Sequence, residues 1–130
     1  MRIFKSKWFA RFARKERIND SKLRELIEDA EAGKIDADYG NGVIKQRIAR
    51  LNEGKSGGYR AIILFKRGER SFFVYGFAKN ERDNIDESDE RDFKELAKVL
   101  LEASGEDLEI LLSDGKYIEI EVQNDEQSQE

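Results

Sequence analysis

The sequence predicts a small α+β protein in which an N-terminal helical hairpin and a C-terminal helix pack on a small, mainly antiparallel sheet. Three observations predict this class. The length of 130 residues suits one domain. Apolar residues repeat with helical spacing before residue 34 and after residue 86, whereas residues 43–79 show strand patterns. Eight Phe, four Tyr and one Trp supply a modest core although 40% of the residues are charged.

The first helix is predicted to begin after Ser6, which can cap it. Its apolar stripe comprises Trp8, Phe9, Phe12 and Ala13.

A second helix is predicted to begin with Asp20 or Ser21 as its cap and to end at Gly33. Its apolar stripe comprises Leu23, Leu26, Ile27 and Ala30. The two helices together form the hairpin.

Residues 34–41 are predicted to be a turn-rich connection, and residues 43–49 a half-buried strand. In that strand Ile44 and Ile48 point one way, and Lys45 and Arg47 point the other. A glycine-rich loop over residues 51–58 follows.

Residues 59–66 and 71–79 are predicted to form a β-hairpin. With Gly68 and Glu69 as a two-residue loop, Arg67 pairs with Arg70.

The same register places Arg60 opposite Phe77, on the face that also carries Tyr75 and Lys79. Arg60 and Lys79 are then diagonal neighbours. We expect Arg60 on a solvated part of this face.

Asp86 is predicted to cap a third helix that covers one face of the sheet. Its apolar stripe comprises Phe93, Leu96, Ala97, Leu100 and Leu101. A C-terminal extension from about residue 104 should add a short helical turn and a strand. We therefore predict a single domain over residues 1–122 and a disordered tail over residues 123–130.

The absence of Cys and His excludes several kinds of chemistry. The chain cannot form a disulfide, a Cys/His zinc site, a catalytic cysteine or a Ser-His-Asp triad. We expect neither a metal nor a cofactor. No apolar run approaches the roughly 18 residues of a membrane helix, so we predict a cytoplasmic protein without a membrane partner.

Charge is distributed unevenly along the chain. Residues 1–82 hold 20 Lys and Arg against 11 Asp and Glu, whereas residues 83–130 hold 4 against 17. Either the acidic part folds against the basic part and neutralises it, or the basic surface faces a polyanion.

The basic residues of the strand region are candidates for binding nucleic acid, because guanidinium groups bind phosphate and aromatic rings stack on bases. The alternatives are a solvated strand face for the cations, a core role for the aromatics, and a salt bridge from Arg60 to Glu81 or Asp83. The candidates are Lys45, Arg47, Arg50, Lys55, Arg60, Lys79 and Arg82, with Tyr59, Phe73, Tyr75 and Phe77 between them.

The order of elements and two motifs resemble a known group, the RelE/ParE superfamily of bacterial type II toxins, in its RelE-like or HigB-like branch. The motifs are Gly58-Tyr59-Arg60 and the run from Phe77 to Ile85, and the resemblance covers about residues 1–103. It implies a ribosome-dependent endonuclease that cuts mRNA and thereby inhibits translation. It also implies a protein antitoxin, often with a DNA-binding helix-turn-helix domain.

The resemblance also implies site residues. Arg60 corresponds to the arginine after the family's glycine-tyrosine pair, Lys45 and Arg47 to its basic strand, and Lys79 and Arg82 to the cluster after the last strand. We assign Arg60, Lys79, Arg82 and Lys45 as catalytic, and Arg47, Arg50, Lys55 and Tyr59 as RNA-binding. Two positions depart from RelE itself, because Asn80 and Asp86 stand where it has an arginine and a tyrosine.

In the mechanism we expect, Arg60 and Arg82 stabilise the phosphorane charge. Lys45 or Lys79 transfers a proton, because surrounding cations disfavour the charged form of a lysine. Two alternative functions remain: inhibition of DNA gyrase in the manner of ParE, which needs no nuclease residues, and RNA binding without catalysis.

Overall fold

The computed structural model describes residues 1–49 and 58–121, and it has the predicted α+β class. The hairpin of helices precedes the central strands, and two further helices follow them. In chain order the elements are β1 Arg2–Ser6, α1 Lys7–Lys15, α2 Asp20–Glu31, β2 Ala37–Gly40, β3 Val43–Ile48, β4 Tyr59–Lys66, β5 Arg70–Ala78, α3 Glu87–Leu101, α4 Gly105–Ser113 and β6 Tyr117–Ile120.

The six strands form one sheet in the order β2-β3-β4-β5-β1-β6. Neighbours are antiparallel except β1 and β5, which are parallel. Neither β1 nor β2 was predicted, and residues 34–41 are therefore more than a turn-rich connection. β1 forms because β5 offers it a partner, and β2 pairs with β3 across the turn at Asn41 and Gly42, both of which have positive φ.

The ends of the first two helices follow local capping rules. Ser6 caps α1 as predicted, and its hydroxyl accepts a hydrogen bond from Phe9 N at 3.0 Å. The predicted cap of α2 is wrong by one or two residues, because Asn19 accepts from Lys22 N at 2.9 Å and Asp20 is already helical. Gly33 ends α2 as predicted, in the left-handed conformation at φ +85°.

The helical hairpin packs on one face of the sheet. Phe9 and Ala13 of α1 are buried there, and all four residues predicted for the stripe of α2 join them. Ile44 and Ile48 point to this face, as predicted. Trp8 is the exception, since it is 41% exposed at the margin of the stripe.

Helix α3 covers part of the opposite face. Asp86 caps it as predicted, in a reciprocal capping box with Asp89. From its predicted stripe Ala97, Leu100 and Leu101 are buried, and Phe93 and Leu96 are half-buried. They pack with Leu108 of α4 against apolar residues of β3, β4 and β5, namely Val43, Ile62, Leu64, Phe72, Val74 and Phe77.

The register of the β4–β5 hairpin contains two deviations that cancel. The predicted pairing of Arg67 with Arg70 is wrong: Arg70 pairs with Lys66, and residues 67–69 form a three-residue loop. Val74 then bulges out of β5, because Phe73 pairs with Ile63 and Tyr75 pairs with Ile62. The bulge restores the register, so that Arg60 lies opposite Phe77 as predicted.

The C-terminal part completes the sheet. The expected helical turn is the nine-residue α4, and β6 pairs with β1 as the outermost strand. Residues 51–57 of the glycine-rich loop and the predicted tail lie outside the described residues. Within the described ranges, no helix is long and apolar enough to cross a membrane.

Candidate functional site

A row of cations crosses the sheet on the face that carries α3. Arg47 pairs with Arg60, and Arg60 pairs with Phe77, so the three side chains share one face. The guanidinium carbon of Arg82 lies 5.5 Å from the centroid of the Phe77 ring and extends the row beyond β5. We call Arg47, Arg60 and Arg82 the cationic row.

Arg60 is buried, which corrects the expected place on a solvated face. Its exposed fraction is 4%, and its Nη1 donates a hydrogen bond to Tyr59 O at 3.1 Å. Among residues 1–49 and 58–121 it forms no ion pair, and the alternative salt bridge to Glu81 or Asp83 is absent there. A buried cation without a counterion is unfavourable, so this position favours an anion brought by a ligand.

Lys45 and Arg47 share one carboxylate. Asp36 Oδ1 lies 2.8 Å from Arg47 Nε, and its Oδ2 lies 3.9 Å from Lys45 Nζ. The buried amide of Gln46 holds this segment in place by accepting from Asp36 N at 3.0 Å and donating to Lys34 O at 2.9 Å. The two cations lie on one face as predicted, but only Arg47 is well exposed.

Lys79 lies one step beyond the end of β5. Its backbone N–H donates to Gly58 O at 2.9 Å, which makes it the diagonal neighbour of Arg60 that the register predicted. Its Nζ lies 2.7 Å from Asp83 Oδ1, and this hydrogen bond lowers the pKa of Asp83. Lys45 and Lys79 thus each lie beside a carboxylate. The prediction that one of them transfers a proton had assumed that cations surround it.

Arg82 is held by three hydrogen bonds. Nη1 donates to Tyr75 Oη at 3.0 Å, Nη2 to Asp89 Oδ2 at 3.2 Å, and Nε to Asn84 O at 2.9 Å. The hydrogen bond to Tyr75 contributes most to raising the pKa of Arg82. Its guanidinium is therefore fixed at one end of the cationic row.

Tyr59 lies on the face opposite Arg60, because neighbouring residues of a strand alternate between faces. It is buried, and its Oη donates to Glu16 Oε1 at 2.7 Å. The structure therefore separates this residue from Arg47, which lies on the other face. Arg50 and Lys55 lie outside the described residues. Phe73 and Phe77 are buried in the core, which agrees with the alternative that the aromatic residues have a core role. Tyr75 is half-buried.

Two groups of residues at the site were not found from sequence. The carboxylates Asp36 and Asp89 organise the cations, but acidic residues in a turn and in a first helical turn are too common to be informative. Tyr39 of β2 donates from Oη to Asn84 Oδ1, and its pKa is raised by burial and then by Glu90. The Asn41-Gly42 dipeptide, which is typical of a two-residue hairpin turn, is the signal that could have indicated β2 and hence Tyr39.

The acidic C-terminal part neutralises several cations of the basic part, as one of the two charge interpretations predicted. The pairs are Arg2 with Glu119, Lys66 with Glu102, Lys79 with Asp83 and Arg82 with Asp89. In the described part of the chain, Arg60 stays outside this compensation.

These features define a small α+β protein that carries a cationic row on one sheet face. The family model described as the RelE toxin of the RelE/RelB toxin-antitoxin system matches residues 1–120, and the chain belongs to that family. This confirms the resemblance to the RelE/ParE superfamily and extends it beyond residue 103, to include α4 and β6. A toxin role in a toxin-antitoxin system follows from the membership. No curated protein matches the chain in sequence.

Proposed function

We propose that this protein inhibits translation as a metal-independent, ribosome-dependent mRNA endonuclease of a type II toxin-antitoxin system. The observation that carries the proposal is Arg60, a buried arginine without a carboxylate partner among the described residues, lying between Arg47 and the Phe77–Arg82 contact. A phosphate of RNA supplies the missing negative charge.

The reaction is a transphosphorylation. The 2′-oxygen attacks phosphorus and loses its proton to water, the bond from phosphorus to the 5′-oxygen breaks, and the 5′-oxygen takes a proton from a lysine ammonium. Arg60 and Arg82 donate hydrogen bonds to the charged phosphorane. Because the fold holds both groups in advance, they need little reorganisation during the reaction.

The lysines contribute to proton transfer. Lys45 and Lys79 each lie beside a carboxylate, which suits a charged ammonium that protonates the leaving 5′-oxygen. No histidine is present to serve as a base. Such a weak acid-base set gains most when the ribosome holds the RNA in a reactive geometry, which accounts for ribosome dependence in the cytoplasm.

The test is a cell-free translation reaction followed by primer extension on the mRNA, with and without ribosomes. Wild-type protein should cut only ribosome-bound mRNA. Arg60→Met should lower the cleavage rate by about a hundredfold to a thousandfold, the usual effect of removing one preorganised donor. Arg67→Met, in the loop at the far end of the same hairpin, is the matched control and should cut normally.

Equal cleavage by the two variants would show that Arg60 is not part of the site. If no mRNA is cut and purified protein instead blocks DNA supercoiling, the gyrase alternative is correct. If neither activity is found and expression is harmless, the protein is an RNA-binding module.

An antitoxin is the second component of the proposal. It should cover the basic surface with an acidic or amphipathic segment and, as the family resemblance implies, carry a helix-turn-helix domain. Co-expression of the neighbouring open reading frame should restore growth. Toxicity that no adjacent gene suppresses would contradict this part.

A further inference from the structure

A groove of about 360 Å³ lies between α1, β5 and the turn that follows β5. It adjoins the cationic row, because Arg82 and Phe77 line it. Its other lining residues include Trp8, Arg11, Phe12, Lys15 and Tyr75.

The groove exists because β1 ends early. β1 pairs with β5 only as far as Phe73, and at Ser6 the chain turns into α1. Helix α1 therefore lies beside the part of β5 that β1 leaves uncovered. Gly76 allows this close approach, since a Cβ at this position would lie 2.5 Å from the ring of Phe12.

Aromatic rings form one wall. The centroid of the Trp8 indole lies 4.7 Å from that of Tyr75 and 5.6 Å from that of Phe12. These contacts hold the indole in place, yet 41% of the residue remains exposed. A fixed and partly open indole is a platform on which a further ring can stack.

Cations surround the platform. Helix α1 carries Lys7, Arg11, Arg14 and Lys15 and has no acidic residue among its nine. None of these four forms an ion pair within the described ranges. Two acids, Glu16 and Glu81, also line the groove, and Arg82 is paired with Asp89. The positive excess beside the aromatic surface therefore comes from helix α1.

We infer that this groove is a base-stacking subsite for single-stranded RNA, in which a base stacks on Trp8 and the flanking phosphates contact Arg11 and Lys15. Charge complementarity favours RNA as the occupant over an apolar peptide. The inference deepens the proposed function and rests on it: the subsite holds a nucleotide next to the phosphate that Arg60 and Arg82 bind. Arg82 belongs to both places.

Trp8 is the single tryptophan of the chain, so its fluorescence reports directly on the groove. Short 2′-O-methyl oligoribonucleotides, which cannot be cleaved by the proposed reaction, should quench this fluorescence. Inorganic polyphosphate carries charge without bases and should not quench it. Quenching by both ligands to the same extent, or by neither, would overturn the inference.

Substitutions at the platform separate stacking from charge. With a labelled oligonucleotide, Trp8→Leu should weaken binding about tenfold or more, whereas Trp8→Phe should keep most of the affinity. Arg11→Gln and Lys15→Gln should each reduce the slope of log affinity against log salt by about 0.7. Arg67→Gln, on the distant hairpin loop, is the matched control and should leave the slope unchanged.

The outcomes distinguish this subsite from the proposed nuclease. Cleavage of ribosome-bound mRNA without base-dependent quenching would remove the subsite and leave the nuclease. Base-dependent quenching without cleavage would remove the nuclease. If Trp8→Leu binds RNA normally but escapes suppression by the co-expressed antitoxin, the groove belongs to the antitoxin and the inference is wrong.

Discussion

The arginines at the two ends of the β4–β5 hairpin have different hydrogen-bond acceptors. At the loop end Arg70 Nη1 donates to Leu100 O at 3.0 Å and to Ala103 O at 2.8 Å, carbonyls at the C-terminus of α3, where a cation is also favoured by the helix dipole. At the open end Arg60 is more deeply buried, and the one acceptor that the described residues offer it is Tyr59 O.

The fold supplies acceptors to Arg70, whereas the proposed function assigns the acceptor of Arg60 to a ligand. Around the loop end the chain itself supplies acceptors, and Lys66 is likewise paired with Glu102 at 3.1 Å. At the open end the N-terminal turn of α3 supplies Asp89 to Arg82 at 3.2 Å, whereas Arg60 has no carboxylate partner among the described residues. Stability should therefore depend on the loop end, and activity on the open end.

The largest effect on stability is expected for Arg70→Met. This change removes both hydrogen bonds to α3 and should lower the free energy of unfolding by about 2 to 3 kcal/mol, as for hydrogen bonds from a charged group. Urea denaturation measures the change. Cleavage per folded molecule should stay at the wild-type level. A loss of cleavage in this variant would contradict the view that stability depends on the loop end and activity on the open end.

Gly76→Ala should have the next largest effect. The added methyl group must displace the ring of Phe12, an overpacking that costs about 1 to 2 kcal/mol, and the shift should change the emission of Trp8. Gly105→Ala is the control, because no atom lies within 4 Å of a Cβ there and alanine suits a helix. Similar melting temperatures for the two variants would contradict the packing described at the groove.

Arg60→Met should change stability by about 1 kcal/mol or less, with an increase as the expected direction. A buried cation with one hydrogen bond gains little from the fold, and an apolar side chain of similar length avoids the cost of desolvation. Thermal unfolding in parallel with Arg70→Met gives the most direct comparison. A fall of many degrees for Arg60→Met would make Arg60 a structural residue.

The smallest effect concerns the pair of Arg2 and Glu119, which joins β1 to β6 near the loop end. Arg2 Nε and Nη2 donate to the carboxylate at 2.9 and 2.8 Å, and these hydrogen bonds lower the pKa of Glu119. The stabilisation is present above the ordinary glutamate value of about 4.5 and is lost as pH falls through the lowered value of the folded state.

Because both side chains are partly exposed, the pair should contribute about 0.5 kcal/mol. Urea midpoints measured between about pH 7 and pH 3 should therefore fall slightly less for Glu119→Gln than for the wild type. The assignment would be contradicted if Glu119→Gln were destabilised relative to the wild type more strongly at low pH than at neutral pH.

Local patterns in the sequence predicted the elements that carry their own signal. The caps at Ser6 and Asp86, the stripes of α2 and α3, and the alternation in β3 depend on residues a few positions apart. The pairing of Arg60 with Phe77 was also predicted, although two errors at the loop and at the bulge cancelled to produce it.

Tertiary structure decided the properties on which function depends. β1 is a strand because the distant β5 offers it an edge, and the early end of β1 opens the groove beside Trp8. The burial of Arg60 and the carboxylates beside Lys45 and Lys79 likewise depend on which elements cross the sheet face. Periodicity and capping depend on residues that are close in sequence and can therefore be recognised from the sequence. Burial and charge pairing between distant residues arise only when the sheet assembles.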